Sequence, residues 1–275
     1  MCRKKQTIIN MRITMFKKAL FIFILLSGLL LFSQGNSRIS EKNAIGWFNY
    51  NGTFKISPKF AIHTEYQWRR AEYVTNWQQG LLRVGLNYQL NSAMQLRVGY
   101  AWAETYPYSE TPINSFGKNF TEHRIFQMAT ATNKISKIDV SHRFMLEQRL
   151  VGRYSNANLT TEDSFVFVNR LRYMLRLQMP LKGNTIGNKT PYCAAYNEIF
   201  IGFGTNVNEN IFDQNRLGLV LGYKLSDQVR LEAGYLNQTL QLGREVSGQN
   251  VFQNNNGFLV STILNFDLQK NKSRL

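Results

Sequence analysis

The sequence predicts an all-β chain, a single antiparallel transmembrane β-barrel of about 12 strands (10 is the alternative) behind a cleaved signal peptide, and three observations predict it. Apolar and polar residues alternate along most of the 275 residues, as in Val229-Arg230-Leu231-Glu232-Ala233-Gly234-Tyr235. That period puts the apolar set on one face of a strand and the polar set on the other. The connections between these runs are by turns short and long, as in outer-membrane barrels. A basic, then apolar, then small-residue leader precedes the first run, which marks an exported chain.

The leader comes first. Lys17-Lys18 is followed by the apolar stretch Ala19 to Leu26, a second stretch to Phe32, and Ser33-Gln34-Gly35. The uninterrupted run is shorter than the ~20 residues of a spanning helix, so residues 1–35 are read as a signal peptide and residues 36–275 as the barrel.

The strands follow at 46–57, 60–70, 79–90, 93–104, 121–131, 137–151, 164–179, 191–202, 214–226, 228–240 and 256–268. Each meets or exceeds the ~9–11 residues of a tilted membrane strand. Turns stand at Ser57-Pro58-Lys59, Asn91-Ser92-Ala93, Lys134 to Lys137 and Ser226-Asp227, and longer segments at 71–78, 105–120, 152–163, 203–213 and 241–255, with 180–190 a longish turn. Short connections belong to the periplasmic side and long ones to the outer side. A strand 46–57 that ends in a periplasmic turn then needs an upward strand before it. Residues 36–45 are assigned to that strand, which brings the count to the even number usual for bacterial barrels. Trp47, Trp68, Trp77 and Trp102 lie near the outer strand ends, where aromatic girdles form. A soluble β-sandwich would also alternate, but it leaves the arginine-rich rows unexplained.

Charge narrows the partners. Lys and Arg number 33 against 17 Asp and Glu, a net +16, and loss of the six basic residues of the leader leaves 27 against 17, or +10. The arginines stand singly on alternating strand positions rather than in a run or on a helix, which argues against nucleic acid. Outer-membrane lipids and lipopolysaccharide are the expected counter-charges, and the barrel-assembly machinery the expected partner during insertion. Oligomeric state is left open. Beyond the leader Cys193 is the one cysteine, so no internal disulfide is expected. No zinc-type spacing occurs, and no cofactor or metal is expected.

A local repeat sets Arg before Gly and Tyr: Arg83-Val84-Gly85 running to Tyr88, Arg97-Val98-Gly99-Tyr100, Arg216-Leu217-Gly218 running to Gly222-Tyr223, and Arg230 running to Gly234-Tyr235. With Glu122-His123-Arg124, His142 to Arg149, Asn169 to Tyr173, Asn197 to Phe200 and Phe212 to Arg216, the chain over about residues 46–266 resembles the bacterial family called domain of unknown function 2490. The resemblance implies an outer-membrane barrel and carries no activity. One departure is the end of the chain, where Phe266 is followed by a polar tail instead of closing the last strand.

The polar rows are the candidate site. Glu65, Arg83, Arg97, Arg143, Glu147, Arg149, Arg170, Arg172, Arg176, Arg230 and Glu232 are expected to face the lumen, with Gln67 and Arg69 beside Glu65. Charges at that density must pair or stay hydrated. The leading expectation is a structural or binding barrel of uncharacterised activity, filled by an Arg/Glu lattice. The alternative is a narrow anion-preferring channel, since arginines outnumber carboxylates. A lipid hydrolase is the rival from another class, with His123 as candidate base. Local sequence sets no serine beside His123, and Ser141 and His142 point to opposite faces, so no catalytic residue is assigned. Loops 105–120 and 241–255 could contact a ligand. On the same register Leu219 faces lipid, and Gly218, on the lumen side, is expected to tolerate Ser better than Leu219 tolerates Arg.

Overall fold

The computed structural model describes residues 38–207 and 210–269, so the leader read over residues 1–35 lies outside the described residues. The described residues hold no helix long and apolar enough to cross a membrane. Among the described residues eleven strands run in chain order: β1 (Ile39–Lys55), β2 (Phe60–Ala71), β3 (Asn76–Gln89), β4 (Met94–Thr105), β5 (Phe120–Ile135), β6 (Ile138–Arg153), β7 (Ser164–Pro180), β8 (Thr190–Phe203), β9 (Phe212–Lys224), β10 (Val229–Val246) and β11 (Gln249–Asp267). Each pairs antiparallel with its neighbour in sequence, and β1 closes the sheet by pairing parallel with β11.

The count of 12 is therefore corrected to 11. The segment read over 36–45 is, from Ile39 on, continuous with 46–57: the backbone runs straight through Ile45-Gly46-Trp47 as part of β1. Gly46 is needed there, because a Cβ would stand 2.1 Å from the Tyr73 carbonyl oxygen. The parity problem that called for an extra strand is solved by the parallel seam, whose register extends from Ile39 opposite Val251 to Lys55 opposite Asp267. In consequence β1 begins at the rim of the long loops and β11 ends at the rim of the short turns, where the Leu268 amide donates to the Lys55 carbonyl at 3.0 Å.

Two segments expected to be long loops are tight turns. Residues 72–75 turn with Glu72 and Tyr73 at φ of 48° and 63°, and Ser247-Gly248 at 52° and 71° links Val246 to Gln249, the left-handed geometry of a two-residue hairpin. Residues 241–255 thus extend β10 and β11. The long connections that remain at this rim are 106–119, 154–163 and 204–211.

The register also fixes the width of the barrel. From Lys55 it steps through Ala61, Asn87, Arg97, Met128, Met145, Arg172, Phe200, Gln214, Leu240 and Gln253 and returns to β1 at Glu41, 14 positions from its start (55 less 41). With 11 strands this stagger implies a tilt of about 40° and a backbone diameter of roughly 22 Å. Long side chains from opposite walls meet across that width.

The outer surface is an apolar belt. Leu82, Val84 and Leu86 of β3, Leu96, Val98 and Tyr100 of β4, and Leu217, Leu219 and Leu221 of β9 are all exposed. Towards the long-loop rim it gives way to cross-strand amides: Asn197 and Asn215 bond each other reciprocally, and Asn237 donates to Asn256 at 2.8 Å. Trp68, Trp77 and Trp102 stand on the outside, with Trp68 and Trp77 edge to face at 6.2 Å. Trp47 does not join them. It is 4% exposed on the inner face, with Nε1 donating to Gln78 Oε1 at 2.7 Å.

The recurrent Arg, Gly and Tyr have a physical explanation. Arg and the Gly two residues on, or four on after Arg230, share the inner face, and the Tyr points out. Some of these glycines are floors for rings: a Cβ on Gly99 would meet Phe126 Cζ at 2.7 Å, and one on Gly218 would meet Tyr196 Cε1 at 2.2 Å. Around these rings lie two small inner apolar clusters, Phe126 with Met128 and Met145, and Ile45 with Trp47, Leu236 and Leu259 among others.

A charged bar and an arginine-rich vestibule as candidate site

Alternation aims the inner rows of β2, β3 and β5 to β10 at one another. At mid-height they meet in a bar of ion pairs. Arg83 Nη1 lies 2.6 Å from Glu65 of β2, and its Nη2 lies 3.8 Å from Glu147 of β6. Glu147, fully buried, also accepts from Arg170 at 2.6 Å and Arg172 at 2.9 Å. Arg170 continues to Asp213 of β9 at 2.8 Å, and Arg172 to Glu198 of β8 at 2.7 Å. Arg83, Glu147, Arg170 and Asp213 thus bridge the lumen from β3 to β9. Arg143 adds a second bond to Glu198 at 2.8 Å, and Arg149 joins Glu122 at 2.9 Å and Asp213 at 3.6 Å. Rings fill the spaces between: Phe200 has Arg172 and Arg216 over its face at 4.4 and 4.5 Å, and Trp47 has Arg69 and Arg216 at 4.0 and 4.8 Å. Such contacts stabilise desolvated guanidinium groups.

All eleven residues picked from the sequence project inward. Nearer the short-turn rim Arg176 and Tyr192 both donate to Glu232, Arg230 lies over the Tyr192 ring at 5.3 Å, and Arg97 donates to the Asn87 side chain. Five charged residues of the bar and its surround were not among the eleven: Glu122, Arg124, Glu198, Asp213 and Arg216. Their signal was present in the family elements Glu122-His123-Arg124, Asn197-Glu198 and Asp213 to Arg216, and parity along β5, β8 and β9 would have sent them inward.

Above the bar lies a cavity of about 160 Å³. Seven arginines line it (69, 124, 149, 153, 170, 216 and 244) against two carboxylates, Glu122 and Asp213, with Gln and Asn amides between them. Loop 106–119 roofs it through Tyr108, Ile113 and Asn114. This loop is tied down across the rim. Tyr108 donates to Gln253 at 2.8 Å and accepts from Asn255 at 3.0 Å, Ser109 donates to Glu41, and the Thr111 and Pro112 carbonyls accept from Gln253 and Arg244. Burial raises the Tyr108 phenol above its ordinary pKa, so it stays a neutral donor.

The histidines are dispersed. His123 stands on the outer face, 2.6 Å from the Tyr100 hydroxyl, while its neighbours Glu122 and Arg124 face inward. His142 is also outside, 2.9 Å from the Tyr173 hydroxyl. His63 is inside, 3.3 Å from Glu65. Cys193 is a free, half-buried thiol, and the described residues hold no group of three or more His, Cys, Asp or Glu placed for a metal.

These features define a closed, charge-filled β-barrel. The chain belongs to the family described as protein of unknown function (DUF2490), whose model matches residues 45–247. No curated protein matches it. Among solved structures it is similar to the NanC porin in a rhombohedral crystal form, at 11% identity and a TM-score of 0.41, over 75% of this chain and 91% of that one.

Proposed function

We propose that this chain is an outer-membrane barrel of a Gram-negative cell, exported by its leader, with the short turns periplasmic and the long loops outside. Its apolar belt would contact membrane lipid, its outer rim lipopolysaccharide, and the barrel-assembly machinery would insert it. Its role is binding or structural rather than conduction. The observation that carries this reading is the bridge Arg83, Glu147, Arg170 and Asp213 across the lumen. Moving an ion through it would break buried pairs at several kcal/mol each.

The test is recording from the purified protein in planar bilayers, with fractionation of the cells that make it. Recovery with outer membranes, heat-dependent gel migration and an absence of steady conductance are expected. Recovery in soluble periplasm, or a steady open pore, would overturn the reading. The excess of arginine over carboxylate favours a narrow anion-preferring channel as the second reading, and a small conductance that loses its anion preference in Arg97→Glu would establish it. No hydrolytic role is proposed: the ring partners of His123 and His142 are tyrosine hydroxyls, and the imidazole of His63 contacts Glu65.

A further inference from the structure

We infer that the vestibule above the bar is a binding site for a small multivalent oxyanion, a ligand bearing at least two carboxylate or phosphate groups. The inference deepens the binding role proposed above and rests on it. Its basis is a local imbalance of charge. Within the bar the guanidinium groups meet carboxylates, but around the cavity several do not. Arg69 donates to Gln67 and Gln79, Arg244 to the Pro112 carbonyl, and Arg216 to Gln214, with Glu198 only at 4.0 Å. Among the described residues Arg69, Arg153 and Arg244 have no carboxylate within ion-pair distance.

Gathering cations in a low-dielectric chamber without counter-charge is costly, and an anion offsets that cost. Arginine suits the task, since its planar fork meets carboxylate and phosphate oxygens two at a time. The chamber is the size of a small-molecule site: a cavity of about 160 Å³, well above the ~10–15 Å³ that one water needs on that measure, has room for an anion such as pyrophosphate or a small tricarboxylate. Access is from the long-loop rim, where the lining residues Arg153, Asn206 and Gly243 are exposed. The roof gives the lining the uncharged Tyr108, Ile113 and Asn114 and no acidic side chain, so it covers an anion without repelling it.

The test is titration calorimetry of the full chain in detergent, with pyrophosphate, citrate and uncharged glucose. Saturable binding of pyrophosphate, citrate or both is expected, weakening as salt rises, with none for glucose. Binding of one and not the other assigns the phosphate or the carboxylate class. The variant Arg153→Gln/Arg244→Gln leaves every ion pair of the bar in place, and it should lose at least about tenfold in affinity while keeping wild-type heat-dependent gel migration. No saturable binding of either anion, or equal binding by the double variant, overturns the proposal. These outcomes are independent of conductance, so a barrel that proves to be an open pore would overturn the sealed-lumen reading and leave this site to be judged by its own titration.

Discussion

Arg170 grips a single oxygen of Glu147 with two donors, Nε at 2.8 Å and Nη2 at 2.6 Å, and extends its third nitrogen to Asp213 at 2.8 Å. Glu147 is at once the acceptor for Arg172 and lies 3.8 Å from Arg83. One carboxylate therefore holds three guanidinium groups of β3 and β7. Glu147→Gln keeps the shape and removes the charge, leaving buried cations underneutralised. It should destabilise the barrel by about 3–5 kcal/mol, read as a shift of the urea midpoint for folding into detergent. An unshifted midpoint would mean that the bar is hydrated and loose.

A pair of neighbours on β9 tests the register. Leu219 is exposed on the apolar belt, and Leu219→Arg should cost about 2–4 kcal/mol in a bilayer. Gly218→Ser is still expected to be the milder of the two, but the structure gives it a cost of its own, because the Tyr196 ring lies on Gly218 with Cε1 2.2 Å from where a Cβ would stand. Overpacking of this kind costs about 1–3 kcal/mol. The signature is context: Gly218→Ser should recover part of its loss in a Tyr196→Ala background, whereas Leu219→Arg should not. Recovery by both would contradict the assignment of the two faces.

The two faces explain what could be read beforehand. Arg83, Glu147, Arg170 and Arg172 were legible because their outward neighbours Leu82, Leu146, Leu171 and Tyr173 are large and apolar. Glu122, Glu198 and Arg216 stood out less, because the polar His123, Asn197 and Asn215 stand outward beside them and blur the contrast between the faces, leaving only parity along the strand to send them inward. The first strand was obscured for the opposite reason: Ile45 and Trp47 are apolar yet face inward, packed with Leu236 and Leu259. The hairpin of β10 and β11 above the belt is polar on its outer face, where Thr239 meets Asn254, and its register shifts between Gln241 and Glu245, so residues 241–255 read as a loop. The turn at Glu72 and Tyr73 has positive φ at residues that rarely adopt it.

The roof and the bar make separate predictions about conduction. Loop 106–119 is fastened by Tyr108, Ser109 and Arg244, but the bridge from β3 to β9 lies beneath it. Replacing residues 108–116 with a short Gly/Ser linker should widen access to the vestibule and leave the planar bilayer silent. A steady conductance in that variant would make the loop, and not the bar, the barrier.

The parallel seam gives the sharpest topological test. With 11 strands the start of β1 and the end of β11 lie on opposite rims, Ile39 beside the turn Ser247-Gly248 and Asp267 beside Lys55. In the proposed orientation an epitope tag placed immediately before Arg38 should bind antibody on intact cells. A tag after Gln269 should bind only after the outer membrane is opened. If the two results are exchanged, the orientation is inverted and the vestibule faces the periplasm. If both tags are reached from the same side, the strand count is even, the pairing of β1 with β11 is wrong, and an additional strand must precede Ile39.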